Sequence, residues 1–204
     1  MNVLLLGPQG SGKGTQAKRI AEAHGIPHIA TGDMLREAIA AGTPLGRRVA
    51  PILESGQLVP DELMVDIIRE RLGRPDTDAG FVLDGFPRTL AQADALDAML
   101  SAIDRRLDVV FEFQLSDDVG RARMLRRASE EGRSDDTPEA IDTRLALYHE
   151  QTEPVIEHYR TTGNLVGLHG DRSVGEVFAE IEDALDAMLR SRPRAESAGI
   201  GGAT

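Results

Sequence analysis

The sequence predicts an α/β protein of three layers, with helices on both faces of a five-stranded parallel sheet, and three observations carry that expectation. Five short apolar runs recur along the chain, helical patterns lie between them, and a glycine-rich turn follows the first run. Short runs that are apolar throughout suit strands buried on both faces, as parallel strands are. The β-α-β alternation then implies right-handed crossovers and ligands at the carboxyl ends of the strands.

Taken in order, Val3-Leu4-Leu5-Leu6, bounded by Gly7-Pro8, is the first strand, and a helix follows from Gly14 to about Ala23. His28-Ile29-Ala30 is a weaker strand. Two short helical patterns come next, Asp33 to Ala40 and then Pro44 to Glu54 closed by Gly56. A simple crossover does not need so much chain, so residues 30–59 read as a small helical insert over the sheet edge. Asp61 to Leu72 is helical, Phe81-Val82-Leu83 a strand, Thr89 to Leu100 a helix, Val109 to Phe113 a strand and Asp117 to Ala128 a helix. The polar segment Ser129 to Asp136, with Gly132 inside it, interrupts two long helices and reads as a mobile loop. One helix from Thr137 to Arg160 and a strand at Leu165 to Leu168 follow. Ser173 and Glu176 form a capping box, after which Val174, Val177, Phe178, Ile181, Leu185, Met188 and Leu189 make one apolar stripe. Residues 191–204 have no apolar period and read as a disordered tail.

Composition narrows the classes of function. A length of 204 residues with 41% hydrophobic content suits a single packed domain. A net charge of −11 disfavours nucleic-acid partners. No apolar run is long enough to span a bilayer, and the apolar opening has no basic flank or cleavage-like site, so the expectation is a cytoplasmic protein without membrane contact. The chain has no cysteine, which excludes disulfides, thiolate zinc sites and cysteine nucleophiles. The five histidines lack metal-ligand spacing and read as structural, so no zinc is expected. Nothing demands a partner subunit, and a monomer is the default. The cations comprise 21 arginines and two lysines, Lys13 and Lys18. A lone arginine is therefore weak evidence of function, whereas a lysine retained at a special position marks a place where arginine would not serve.

Lys13 is in such a position. Gly7-Pro8-Gln9-Gly10-Ser11-Gly12-Lys13-Gly14-Thr15 follows a buried strand and opens a helix, the context in which a G-x-x-x-x-G-K match cradles phosphate. Its glycines let backbone N–H groups converge on phosphate oxygens, and the helix N-terminus adds partial positive charge. After Lys13 comes Gly14, and the hydroxyl arrives one residue later at Thr15.

That loop resembles the phosphate loop of adenylate kinases, within the nucleoside monophosphate kinase family of P-loop proteins. Three further stretches agree in order and spacing: Thr31-Gly32-Asp33-Met34-Leu35-Arg36, Asp84-Gly85-Phe86-Pro87-Arg88 with Gln92, and the arginine-bearing region Arg123 to Arg144. Gly132 to Thr137 looks like the lid of the short-lid members. The resemblance covers about residues 1–190. It implies a P-loop NTPase core (1–29, 60–125, 138–190), an AMP-binding insert (30–59) and a short lid near 126–137. It also implies transfer of the terminal phosphoryl group of Mg-ATP to AMP, giving two ADP. By the same resemblance ATP meets Gly10, Ser11, Gly12, Lys13, Gly14, Thr15, Arg127 and Gly170. AMP meets Thr31, Arg36, Gln57, Leu58, Val59, Gly85, Phe86, Pro87, Arg88, Gln92, Arg133 and Arg144. Arg123, Arg133 and Arg144 match the family's arginines around the phosphates, and together with Lys13 and Arg88 form the catalytic set. Gln9, Ala128 to Gly132 and Asp171-Arg172 depart from the family's commonest patterns.

The residue types suit this chemistry. The acceptor oxygen of AMP is already ionised, so no general base is required and catalysis rests on cations and alignment. Asp84, ending an apolar strand, is read either as a carboxylate holding Mg²⁺, directly or through water, or as a turn-forming Asp-Gly pair. Gln92 suits adenine's N6 and N7 edge, or else is a solvated helix residue. Asp135 and Asp136 are read as lid contacts to arginines rather than as a metal site. Kinases of other monophosphates, a small-metabolite kinase and a non-catalytic nucleotide-binding module are the competing readings.

Overall fold

The structure, a computed structural model, describes residues 1–133 and 135–191. Five strands, β1 (Asn2–Leu6), β2 (His28–Ala30), β3 (Phe81–Asp84), β4 (Val109–Gln114) and β5 (Leu165–His169), form one parallel sheet in the order β2-β3-β1-β4-β5. The strand expected to be weakest, His28–Ala30, forms and pairs with β3. The chain goes from β1 to the edge strand β2, returns to β3 beside β1 and then crosses to β4 and β5 on the other side, so the switch in direction falls at the carboxyl end of β1. In open α/β sheets that crevice binds ligands.

The strands are mainly apolar because their side chains alternate between two cores. Leu4 and Leu6 of β1 enter a cluster with Ile29, Phe81, Leu83 and Val110, while Val3 and Leu5 enter another with Val82, Phe111 and Phe113. Helices α1 (Lys13–His24) and α9 (Val174–Ser191) cover the second cluster with Ala17, Ile20, Val177, Ile181 and Leu185. Helices α4 (Asp61–Leu72), α5 (Leu90–Ser101) and α8 (Glu153–Arg160) cover the first. The insert is two helices, α2 (Thr31–Ala40) and α3 (Pro44–Glu54), and Leu35, Val49 and Leu53 anchor it to the first core. Thr43 caps α3 by accepting from the Gly46 N–H at 3.0 Å.

Three expectations need correction, and a fourth falls outside the described residues. Helix α6 (Asp117–Glu131) runs three residues past Ala128, because nothing before Gly132 breaks it. Gly132, at φ 65°, supplies the left-handed cap, and only residues 132–137 separate α6 from α7 (Pro138–Leu147). The single helix expected from Thr137 to Arg160 is split by a widened turn over Tyr148–Thr152, where Glu153 N–H bonds to Tyr148 O. Pro154 has no N–H to give and its ring crowds the carbonyl one turn back, so the helix widens before it. The stripe on α9 is narrower than its pattern suggested, since Val174 and Leu189 are exposed at the helix ends. The tail expected at 191–204 lies, apart from Ser191 at the end of α9, outside the described residues.

Candidate active site

A cleft of about 930 Å³ opens at the carboxyl edge of the sheet. The phosphate loop, the insert, the β3–α5 turn, α6, the 132–137 loop, α7 and the β5–α9 turn all contribute to its lining. Of the site residues expected from sequence, Gly10, Ser11, Gly12, Lys13, Gly14, Thr15, Thr31, Arg36, Gln57, Leu58, Val59, Asp84, Gly85, Pro87, Arg88, Gln92, Arg123, Arg127, Arg133, Arg144 and Gly170 line it. Phe86 does not. Its side chain is 1% exposed and packs in the first core, so this aromatic holds the turn down rather than facing a ligand.

The floor of the cleft is built by backbone. Lys13 Nζ donates to the carbonyls of Gly7 and Pro8, each at 2.8 Å, and to Ser11 Oγ at 3.3 Å. Burial pulls the Lys13 ammonium down to a pKa of about 8; Asp84 opposes that shift, while Arg88 and Arg127 add to it. Arg123 Nη1 donates to Gly170 O at 2.7 Å and Gly10 O at 3.3 Å, tying the phosphate loop to the β5–α9 turn. This arginine was expected among the phosphates, and part of its guanidinium is instead spent on holding two loops together.

Asp84 sits at the end of β3. Burial alone would raise its carboxyl, but His28, Lys13 and Arg88 together hold it below the usual range, so it is ionised. His28 Nε2 stands 3.7 Å from Asp84 Oδ2, beyond hydrogen-bond length. The next residue, Gly85, has φ 83°, and a Cβ there would lie 2.6 Å from Thr31 Oγ1. Only glycine lets the chain turn so close to the insert. The Phe86–Pro87 bond is cis. Arg88 Nε donates to Gly85 O at 2.8 Å, which fixes the guanidinium root and leaves its Nη groups to the cleft. Burial, with Arg144 and Arg36 nearby, lowers its pKa against the pull of Asp84.

Gln92 is 2% exposed, not a solvated helix residue. Its Oε1 accepts from Arg88 N–H at 2.8 Å and its Nε2 donates to Asp61 Oδ1 at 2.7 Å. Asp61 Oδ2 also accepts from Thr89 Oγ1, the N-cap of α5, at 3.0 Å. One N–H and one lone pair of the amide remain for a ligand, in a fixed orientation. Sequence reasoning missed Asp61, which is 31 residues from Gln92 and had no local signal. It also missed Tyr148 and Thr152, cleft residues on the widened turn. Thr152 Oγ1 donates to Arg88 O at 2.9 Å. The Pro154 that breaks the helical pattern was the signal that could have found them.

The arginines of the opposite wall are held by the two loop aspartates, as the sequence reading expected. Asp136 Oδ2 accepts from Arg127 Nη2 at 2.7 Å and Oδ1 from Arg144 Nη1 at 2.5 Å, with the carboxylate side chain fully buried. Asp135 Oδ2 accepts from Arg144 Nη2 at 2.8 Å and lies 3.6 Å from Arg36 Nη1. Burial would raise the Asp135 carboxyl, but Arg144 and Arg36 hold it below its ordinary value. Arg144 Nη2 further donates to Leu53 O of the insert at 3.2 Å. Arg133 pairs with Glu131 at 2.8 Å on the rim.

No group of three or more histidine, cysteine, aspartate or glutamate side chains able to hold a metal is found among the described residues. Asp84, ionised at the cleft floor with the Ser11 and Thr15 hydroxyls on the same lining, fits an ion such as Mg²⁺ that arrives already bound to phosphates and takes one carboxylate from the protein. No helix among the described residues is long and apolar enough to cross a membrane.

The family model described as adenylate kinase matches residues 5–164. An adenylate kinase of Methylobacterium nodulans is 48% identical over 194 residues, covering 92% of this chain and 98% of its own. One of Stenotrophomonas maltophilia is 45% identical over 187 residues, covering 92% and 100%. That of Archaeoglobus fulgidus is 41% identical over 215 positions, covering 92% and 99%. The last alignment is longer than the 204 residues here, so that relative carries inserted residues which this chain lacks.

Proposed function

The chain belongs to the adenylate kinase family, and from that premise we propose that it transfers the terminal phosphoryl group of ATP to AMP through a cage of Lys13 and arginines. The observation that carries this reading is the convergence of one phosphate loop and six arginines, from separate stretches of sequence, on a single cleft. ATP phosphates lie against the N–H groups of Gly10 to Thr15 with Arg127 and Gly170, and AMP against Thr31, Arg36, Gln57 to Val59, Gly85, Pro87, Arg88 and Gln92. A kinase acting on a neutral hydroxyl would need a base beside it, whereas the AMP phosphate attacks as an anion and needs neutralisation and alignment.

Lys13 exchanges the Gly7 and Pro8 carbonyls for the phosphoryl group in transfer, which its flexible stem allows. Arg88, rooted on Gly85 O, offers its planar fork to the AMP phosphate together with Arg36. Arg127 and Arg144 trade contacts with Asp135 and Asp136 for phosphate oxygens, while Arg123 and Arg133 complete the cage. Asp84 would hold Mg²⁺, directly or through water; when bound with ATP, the ion neutralises charge on the phosphates. Closure of the 30–59 insert over AMP and of the short lid over ATP excludes water from the transfer. A monomeric state and a cytoplasmic setting complete the reading, and sedimentation at working concentration tests the first.

The test is ADP formation from Mg-ATP with AMP, UMP, CMP, GMP or no acceptor, each repeated with Lys13→Ala. AMP-selective activity that vanishes in the variant is expected. Preference for another monophosphate would remove the adenine pocket while keeping the chemistry, and activity that survives in Lys13→Ala would overturn the site.

A further inference from the structure

Among the described residues, three buried side-chain atoms have no hydrogen-bond partner: Gln9 Oε1, Gln16 Oε1 and His28 Nε2. Two belong to side chains with a recognisable neighbour. Gln16 Nε2 donates to Val174 O at 2.9 Å, which fixes its amide against α9, and His28 faces Asp84. Gln9 is different, because no hydrogen bond to a described residue holds either end of its amide although it lines the cleft.

The backbone that carries Gln9 is fixed. A Cβ on Gly10, at φ 80°, would lie 2.6 Å from Gly120 O, and a Cβ on Gly120 would lie 2.9 Å from Gln9 O. The loop is therefore pressed against the first turns of α6, and Arg123, one turn further along the same helix, donates to Gly10 O. Pro8 O, the carbonyl just before Gln9, holds Lys13. The loop cannot shift to find the amide a partner in the protein. Gln9 lines the same cleft as Lys13 and the arginines, with its Oε1 buried.

We propose that the Gln9 side chain is a further phosphate-contacting residue of the site, its Nε2 donating to an oxygen of the ATP phosphates and its Oε1 accepting from a cation of the cage. An amide can do both at once, whereas a lysine or arginine can only donate and a carboxylate can only accept. Gln9 thereby links a phosphate oxygen to the charge that neutralises it, and the buried Oε1 left idle in the free protein becomes satisfied when the nucleotide binds. The generic phosphate-loop pattern leaves this position unspecified, so the contribution is particular to chains with an amide here. The proposal rests on the phosphotransfer reading above.

The test compares Gln9→Ala, Gln9→Leu and Gln9→Glu by steady-state kinetics, by calorimetric titration with ATP and with AMP, and by thermal melting. Loss of a hydrogen bond to a charged phosphate predicts kcat/KM for ATP roughly ten- to a hundredfold lower in Gln9→Ala and Gln9→Leu. Gln9→Glu, close in size and so safest for folding, places a carboxylate against phosphate and is expected to weaken ATP binding at least as much. AMP affinity is expected to stay within about threefold. Unchanged ATP affinity and unchanged kcat/KM in Gln9→Leu and Gln9→Glu would overturn the proposal. So would a fall in melting temperature with kinetics intact, since that is the mark of a merely structural residue. A parallel Lys13→Ala separates the two readings: if it stays active the phosphotransfer site itself is wrong, and if it is dead beside fully active Gln9 variants only the role of Gln9 fails.

Discussion

The two walls of the cleft are built on different principles. The phosphate-loop wall is made of backbone, pressed against Gly120, tied by Arg123 and rooted in the carboxyl end of β1. Its one ionisable group, Lys13, rests on neutral acceptors. The arginine wall is made of side chains: Arg127 and Arg144 are gripped by two aspartates from the loop after α6, while Arg36 bonds Asp33 of its own helix at 2.5 Å and lies 3.6 Å from Asp135. The first wall presents its phosphate donors with little reorganisation. In the proposed complex the second must give up carboxylates as phosphates arrive, so its binding energy would be a difference between two sets of charge-assisted bonds.

The largest effect should come from a change that keeps charge. Lys13→Arg is expected to lower kcat/KM by about a hundredfold or more, nearly as far as Lys13→Ala. The three acceptors Gly7 O, Pro8 O and Ser11 Oγ suit the three donors of a compact ammonium, and a planar fork does not fit them. Arg127→Lys, on the other wall, is expected to cost only about tenfold, because other cations share its load. Steady-state kinetics of the two variants side by side checks this, and equal losses would erase the distinction between the walls.

Next in size is the loss of Asp136. Its carboxylate is buried between Arg127 and Arg144, so Asp136→Ala leaves two guanidinium groups facing each other and is expected to cost about 3 kcal/mol of stability. Urea unfolding of the free enzyme measures it. If phosphates replace the carboxylate in the working complex, saturating ATP analogue plus AMP should recover most of the deficit, and a deficit untouched by ligand would mean that Asp136 never leaves its arginines.

The backbone-built wall was also the legible one. A phosphate loop is written in consecutive residues, and strands apolar on both faces announce themselves as unbroken runs, so the sheet and Gly10 to Thr15 could be read directly. The insert helices were legible because Thr43, Pro44 and Gly56 punctuate them. The arginine wall could be named from resemblance but not assembled. Asp135 and Asp136 could be read as partners of arginines, but nothing local says which arginines they hold, that Asp61 holds Gln92, or that Arg123 ties Gly10 to Gly170, because each depends on residues brought together by crossovers. Phe86 was misread because its motif sits at the site while its side chain belongs to the core. The end of α6 was placed early because Ser129 to Glu131, though polar, are compatible with helix, and the break waits for Gly132.

A smaller effect should appear in the pH profile. Lys13 in the free enzyme loses its proton around pH 8 rather than above 10, because burial disfavours the charged form. Above pH 8 a growing fraction of free enzyme lacks the ammonium, so kcat/KM for ATP is expected to fall, by about tenfold at pH 9. Bound phosphates favour the charged form, so kcat at saturation should hold to higher pH. The same depressed pKa means that the unfolded chain binds more protons between roughly pH 8 and 10.5, so the contribution of Lys13 to stability rises with pH while its activity falls. Coincident profiles for kcat and kcat/KM would mean that Lys13 does not meet phosphate.

The smallest effect concerns the hinge between the walls. Thr152 lies on the widened turn that Pro154 forces, and its hydroxyl holds Arg88 O at 2.9 Å, so the arginine wall's helical hairpin positions the AMP-binding arginine through one hydrogen bond. Thr152→Val keeps the shape and removes the donor, leaving a carbonyl unpaired at a cost of about 1 kcal/mol. If the bond only stabilises the fold, the cost appears as a lower melting temperature with unchanged kinetics. If it positions Arg88, KM for AMP rises about fivefold while KM for ATP stays put, and the latter is expected because Thr152 is the group that holds the Arg88 carbonyl, beside Gln92 Oε1 on its N–H and Gly85 O on its Nε.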